Sequence, residues 1–199
     1  MTTFNYIERE FDDDETDLLD DGIDRFKDSY STLLIRPQLL KRVALPTIRS
    51  IEETELICSQ FGAVMTAGPS ARECRWNHPN HRVWTFEDSC GARGPRLVHV
   101  EEMLQFGVDQ EDLLVHCHAG ISRSTATAWG IAIARGADPA EAFEALKAAH
   151  PLDTYDQGKR LFCPNRLLVE HIQEVLGRKD LLDIRAKFLQ ADPEARWWV

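Results

Sequence analysis

The sequence predicts an α/β fold of three layers, αβα, with a small, mostly parallel sheet flanked by helices. Two observations carry this reading. Short apolar runs of strand length alternate with longer segments of helical periodicity, the pattern of a layered parallel sheet. The 199 residues contain no internal repeat and are enough to bury one hydrophobic core without disulfides or a metal.

The chain opens on an acidic arm, residues 1–30, and the remainder, 31–199, reads as a single domain. Residues 1–28 hold eleven carboxylates against Arg9, Arg25 and Lys27, so eight of the ten net negative charges lie there. Within the arm Leu19, Ile23, Phe26 and Tyr30 recur at i, i+4, i+7 and i+11, the stripe of an amphipathic helix that Gly22 weakens. Past the arm, residues 63–67 (AVMTA), 83–86 and 113–116 read as buried strands. Residues 95–106 read as a helix stopped by Gly107. The segment 125–135 (TATAWGIAIAR) is apolar almost all round, which predicts a central, buried helix ended by Gly136. Asp138-Pro139-Ala140-Glu141 restarts a helix: Asp138 caps, Pro139 suits the first helical position, and Glu141 can reach back as in a capping box. Two further helices are predicted over 164–176 and 180–190.

Charge and composition exclude several classes. An acidic chain is a poor nucleic-acid binder, because such binding draws on Lys and Arg neutralising phosphates. No apolar run reaches bilayer length, and the acidic N-terminus lacks the basic-then-apolar order of a secretory signal. Five cysteines without a repeating interval do not read as a disulfide framework, so the expected compartment is the reducing cytoplasm.

The segment 113–125 (LLVHCHAGISRST) carries the chemistry. A buried strand ends at His116, a short loop follows, and a helix begins near Arg123. Ligands of open α/β sheets bind at the carboxyl ends of strands. The small residues Ala119, Gly120 and Ser122, with His118 and Ile121 between them, let successive backbone N–H groups turn inward. Such a nest at a helix N-terminus is an anion site of phosphate size. It favours the anion of a thiol placed at its floor, which makes Cys117 a nucleophile. Arg123 can fork two N–H bonds onto phosphate oxygens, and Ser124 can donate to the thiolate as it departs.

His116-Cys117-x5-Arg123-Ser124 resembles the active-site loop of the protein tyrosine phosphatase superfamily, and the run HCHAGISRST is most similar to bacterial members of its dual-specificity-like form. The similarity extends from about Gly62 to Gly177. It implies hydrolysis of phosphomonoesters through a phosphocysteine intermediate, with no metal or other cofactor. It also implies an acid on a loop upstream of the cysteine, a place that Asp88 fills with Glu87 as the alternative. His116 would orient the loop. In Cys163-Pro164-Asn165, the resemblance makes Asn165 a brace for the phosphate loop. The Gly-rich stretch after Asp88 (Cys90, Gly91, Gly94, Pro95) departs from the family and implies a loosely closing acid loop. The implied partner is a phosphorylated protein, phosphotyrosine first and phosphoserine or phosphothreonine second. Relatives acting on phosphoinositides tend to carry lysines within the loop; here there are none. The same neutral loop weighs against RNA phosphates. A non-catalytic phosphotyrosine-binding module is the rival from another class, although such modules usually lose the Cys, Arg or acid.

Other features take plainer readings. Cys74, His78, His81 and Cys90 could be assembled around zinc, but the CxxC spacing is missing and Asn77, Pro79 and Asn80 describe a turn-rich loop. Cys90 or Cys163 could trap an oxidised Cys117 as a disulfide. Tyr6 among the arm's carboxylates could act as a pseudo-substrate, and Trp197 and Trp198 read as packed onto the body.

Overall fold

The computed structural model describes residues 43–68, 73–74, 76–150 and 161–192. The acidic arm, Tyr6 and the Trp197–Trp198 pair lie outside the described residues.

Four strands form one parallel sheet: β1 (Thr47–Arg49), β2 (Ala63–Gly68), β3 (His81–Thr85) and β4 (Leu113–His116), in the order β1-β4-β2-β3. The register sets Ile48 opposite Val115, Thr66 opposite His116 and Gly68 opposite Thr85. Because all four strands run the same way, their carboxyl ends share one edge, where the loops after Arg49, Gly68, Thr85 and His116 emerge. Six helices complete the layers: α1 (Ile51–Ile57), α2 (Leu97–Val108), α3 (Arg123–Ala134), α4 (Pro139–Ala149), α5 (Arg166–Val175) and α6 (Leu181–Ala191).

The alternation of strand side chains decides the layers. Ala63, Met65, Ala67, Leu113 and Val115 face the main core, which α3 fills with Trp129, Ile131 and Ile133. Val64 and Leu114 face the other way, onto a smaller cluster with Cys58, Ile57, Phe61 and Trp76. Helix α3 has buried residues around its whole circumference, as the apolar run predicts.

Two elements differ from the sequence reading. The helix expected to stop at Gly107 continues through it to Val108, where Gly107 serves helix packing instead. A Cβ at Gly107 would lie 2.5 Å from Ile131 Cδ1, so the glycine lets α2 and α3 approach closely. The strand expected over 83–86 is shifted to His81–Thr85; Phe86 has left the ladder and its amide donates to the Gly68 carbonyl. At α4, Asp138 accepts from the amides of both Ala140 and Glu141, so Glu141 contributes to the cap through its backbone.

Candidate active site

The loop between β4 and α3 is held from outside by its carbonyls. The His118 oxygen accepts from the Ile51 amide at 3.0 Å, and the Ile121 oxygen from the Cys163 amide at 3.1 Å. The Ser122 oxygen accepts from Asn165 at 3.1 Å and Ala126 at 3.1 Å. Among the described residues, no acceptor takes the amide hydrogens of His118, Ala119, Gly120, Ile121 or Ser122. Gly120 makes this turn with φ +78°, against the β1–α1 junction, where a Cβ would lie 3.0 Å from Arg49 C and Ser50 N. That junction is fixed by a capping box, Ser50 and Glu53 each accepting from the other's amide.

Cys117 follows β4 directly and is 2 % exposed, yet it belongs to none of the apolar clusters. Its Sγ lies 3.2 Å from Ser124 Oγ, in the first turn of α3. His116 is fully buried; its Nδ1 is 3.2 Å from the Cys117 carbonyl and its Nε2 is 2.6 Å from Thr66 Oγ1. Burial pushes its pKa down to about 4, so the ring is neutral at pH 7 and leaves the local positive charge to Arg123 and the amides.

Arg123 turns back across the sheet edge. Its Nη1 donates to the Phe86 carbonyl at 3.1 Å, tying the guanidinium to the end of β3. It also lies over Gly68 at the end of β2, where a Cβ would come within 2.7 Å of Cδ and Cζ and closer still to Nη1. Arg123 Nε is buried without a hydrogen-bond partner among the described residues, 3.6 Å from Asp88 Oδ2.

Asp88 reaches the same point from the β3 side. Its Oδ1 accepts from Ser122 Oγ at 2.8 Å and from Asn165 Nδ2 at 2.7 Å. Asn165 caps α5, its Oδ1 accepting from the Leu168 amide, so one side chain links that helix to Asp88 while its backbone holds the loop. Glu87 instead pairs with Arg93 at 3.1 Å. The Gly-rich stretch folds on itself: the Glu87 amide donates to the Arg93 carbonyl and Gly94 to Gly91, with Gly94 too close to Ser89 to tolerate a Cβ. A cleft of about 620 Å³ opens here, lined among others by His118, Arg123, Asp88, Glu87, Glu73 and Arg93.

The zinc candidates separate. Cys74 and His81 come together with His116, their ligand atoms within 4.8 Å of one another. His78 is spent on the Phe61 carbonyl and the Asn80 amide, and Cys90 is exposed. All five cysteines are free; burial pushes the Cys163 thiol up, which favours its protonated form.

No family model and no curated protein matches the sequence. Solved structures do match. A variant of human DUSP28 is 17% identical with a TM-score of 0.50, the match covering 66% of this chain and 94% of that one. This is the protein tyrosine phosphatase fold. A mouse putative dual-specificity phosphatase, complexed with zinc tungstate, gives 17% identity and a TM-score of 0.49 over 75% of this chain and 97% of that one. PTPMT1 in complex with PI(5)P gives 19% identity and 0.43 over 73% and 91%. Within this phosphatase fold, sequence reasoning missed Gly68, which seats Arg123, and the β1–α1 junction behind Gly120. The Ser50-x-x-Glu53 pattern was the available signal for α1; a three-residue strand carries no readable period. No helix among the described residues is long and apolar enough to cross a membrane.

Proposed function

We propose that the chain is a cysteine-dependent phosphomonoester hydrolase acting through a phosphocysteine intermediate, with phosphotyrosine on protein as the leading substrate and phosphoserine or phosphothreonine also accepted. One observation carries the reading: among the described residues five consecutive amides and the buried Arg123 Nε have no hydrogen-bond acceptor, and they directly follow a thiol that sits at the carboxyl edge of the sheet. Leaving a buried donor such as Arg123 Nε unpaired costs about 1–3 kcal/mol, and beside it a run of free loop amides forms a nest, so the two together argue for an anion that completes them.

In the proposed reaction, Cys117 Sγ attacks phosphorus in line while the bond to the leaving oxygen breaks and Asp88 gives that oxygen a proton. The amides of residues 118–122 and the Arg123 fork hold the three equatorial oxygens over which charge spreads. Water then attacks the phosphocysteine, Asp88 takes its proton, the P–S bond breaks, and Ser124 Oγ donates to the departing thiolate, 3.2 Å away. The cleft's carboxylates, Glu73, Glu87 and Asp88, outnumber Arg93 and Arg123, which favours one phosphate over a polyanionic headgroup or RNA.

Turnover of p-nitrophenyl phosphate by wild type and Cys117→Ser tests the reading. Wild type should turn over and the variant should lose essentially all activity while keeping its fold. An inactive wild type would instead support the non-catalytic binding module. Gly68→Ala is expected to lower kcat/KM on the order of 10²-fold, because its Cβ displaces the guanidinium by an ångström or more. Steady-state kinetics beside a thermal melt would separate this from unfolding.

A further inference from the structure

On the opposite face of the sheet from α3, a second group of side chains converges on Thr66 Oγ1. His116 Nε2 lies 2.6 Å away, His81 Nε2 2.7 Å and Cys74 Sγ 3.6 Å. Their tautomers follow from their other partners. His116 Nδ1 faces the Cys117 carbonyl, which can only accept, so Nδ1 carries the hydrogen and Nε2 presents its lone pair. The Thr66 hydroxyl has one hydrogen, which goes to His116, and His81 Nε2 therefore donates to Thr66 Oγ1. A single hydroxyl thus occupies the point that two imidazole nitrogens and a sulfur all face. Trp76 closes the group: its ring lies 5.0 Å from that of His116 and 6.1 Å from that of His81, with Nε1 buried and unpartnered among the described residues.

We propose that Cys74 Sγ, His81 Nε2 and His116 Nε2 form a binding site for a zinc-class divalent ion, with water in the fourth position. One thiolate and two imidazoles are a donor set that zinc takes in tetrahedral geometry. Zn–N and Zn–S lengths of about 2.0–2.3 Å place such ligand atoms roughly 3.3–3.7 Å apart. The three ligand atoms already lie within 4.8 Å of one another, so they need to close by about 1 Å. The Thr66 hydroxyl, which now occupies the point they face, must turn aside to admit the ion. His116 is held for this by its Nδ1–H bond to a backbone carbonyl, the outer-shell contact that metal-bound histidines usually make. Cys74 and His81 are only partly buried, which leaves the ion a way in. On binding, the Cys74 thiol releases its proton to solvent and the His81 hydrogen moves to Nδ1. An ion here would fix the ring that holds the Cys117 carbonyl, bracing the loop from behind without entering the cleft.

Cobalt(II) titration of chelator-stripped full-length protein tests this without any activity readout. The expected result is one equivalent bound, with a thiolate-to-cobalt charge-transfer band, visible bands of tetrahedral intensity, and displacement by zinc. Cys74→Ser should abolish the charge-transfer band and weaken binding by more than about tenfold, since even outer-shell losses cost that much. His81→Gln should remove the tetrahedral pattern, and it carries the test alone if Cys74→Ser does not fold. Cys117→Ser should keep the full spectrum. No saturable band in wild type would overturn the proposal. So would a band that survives Cys74→Ser and disappears in Cys117→Ser, because the ion would then sit on the other thiol.

Discussion

Arg123→Lys is expected to reduce kcat/KM toward a phosphate monoester on the order of 10³-fold with folding intact. Lysine keeps the positive charge, so the change isolates geometry from electrostatics. In the proposed reaction the guanidinium has two tasks at once. One nitrogen, Nη1, is anchored on the Phe86 carbonyl, and Nε remains a buried donor without a hydrogen-bond acceptor among the described residues, 3.6 Å from Asp88 Oδ2. An ammonium can satisfy the anchor or the anion, as a point charge, but cannot span both with fixed angles. The loss should fall mainly on kcat, because the equatorial oxygens need the fork most in the transition state. Single-turnover kinetics with a thermal melt would measure it. A loss below tenfold would mean that the amides alone carry the charge, and the clamp role would have to be withdrawn.

The site was legible where chemistry is local in sequence. Cys117, Arg123 and Ser124 lie within one loop and the first turn of α3, so spacing alone placed them together. The central helix was legible because TATAWGIAIA leaves no polar face to misread. What lay hidden was contact between segments far apart in the chain. Gly107 reads as a helix stop by its residue type, yet it is spent on a close approach to Ile131, a tertiary demand that overrides propensity. Gly68 looks like the end of a strand; nothing nearby in sequence reveals that Arg123, 55 positions later, must lie across it. Grouping Cys74 and His81 with His78 and Cys90 followed neighbours along the chain, whereas the sheet register brings in His116 instead. Parallel pairing joins residues about fifty positions apart, and no short-range pattern records that.

Asp88→Asn is expected to cost on the order of 10²–10³-fold in kcat with phosphotyrosine and much less with p-nitrophenyl phosphate. Tyrosine leaves as a strongly basic phenolate unless it is protonated, while p-nitrophenolate leaves readily without help. The substitution is close to isosteric, and the site should retain it. Ser122 Oγ and Asn165 Nδ2 both donate to Oδ1, and an amide oxygen can accept from both. Oδ2 is the oxygen left for the proton: its charged partner, Arg123 Nε, is 3.6 Å away and in the proposed reaction would turn to the phosphate. The alkaline limb of the kcat profile should therefore flatten in Asp88→Asn. Glu87→Gln should leave that limb in place, since Glu87 is occupied with Arg93 and the loop backbone. If Glu87→Gln flattens the limb and Asp88→Asn does not, the acid is Glu87. The contacts of Ser122 and Asn165 would then serve to close the loop and not to aim a proton.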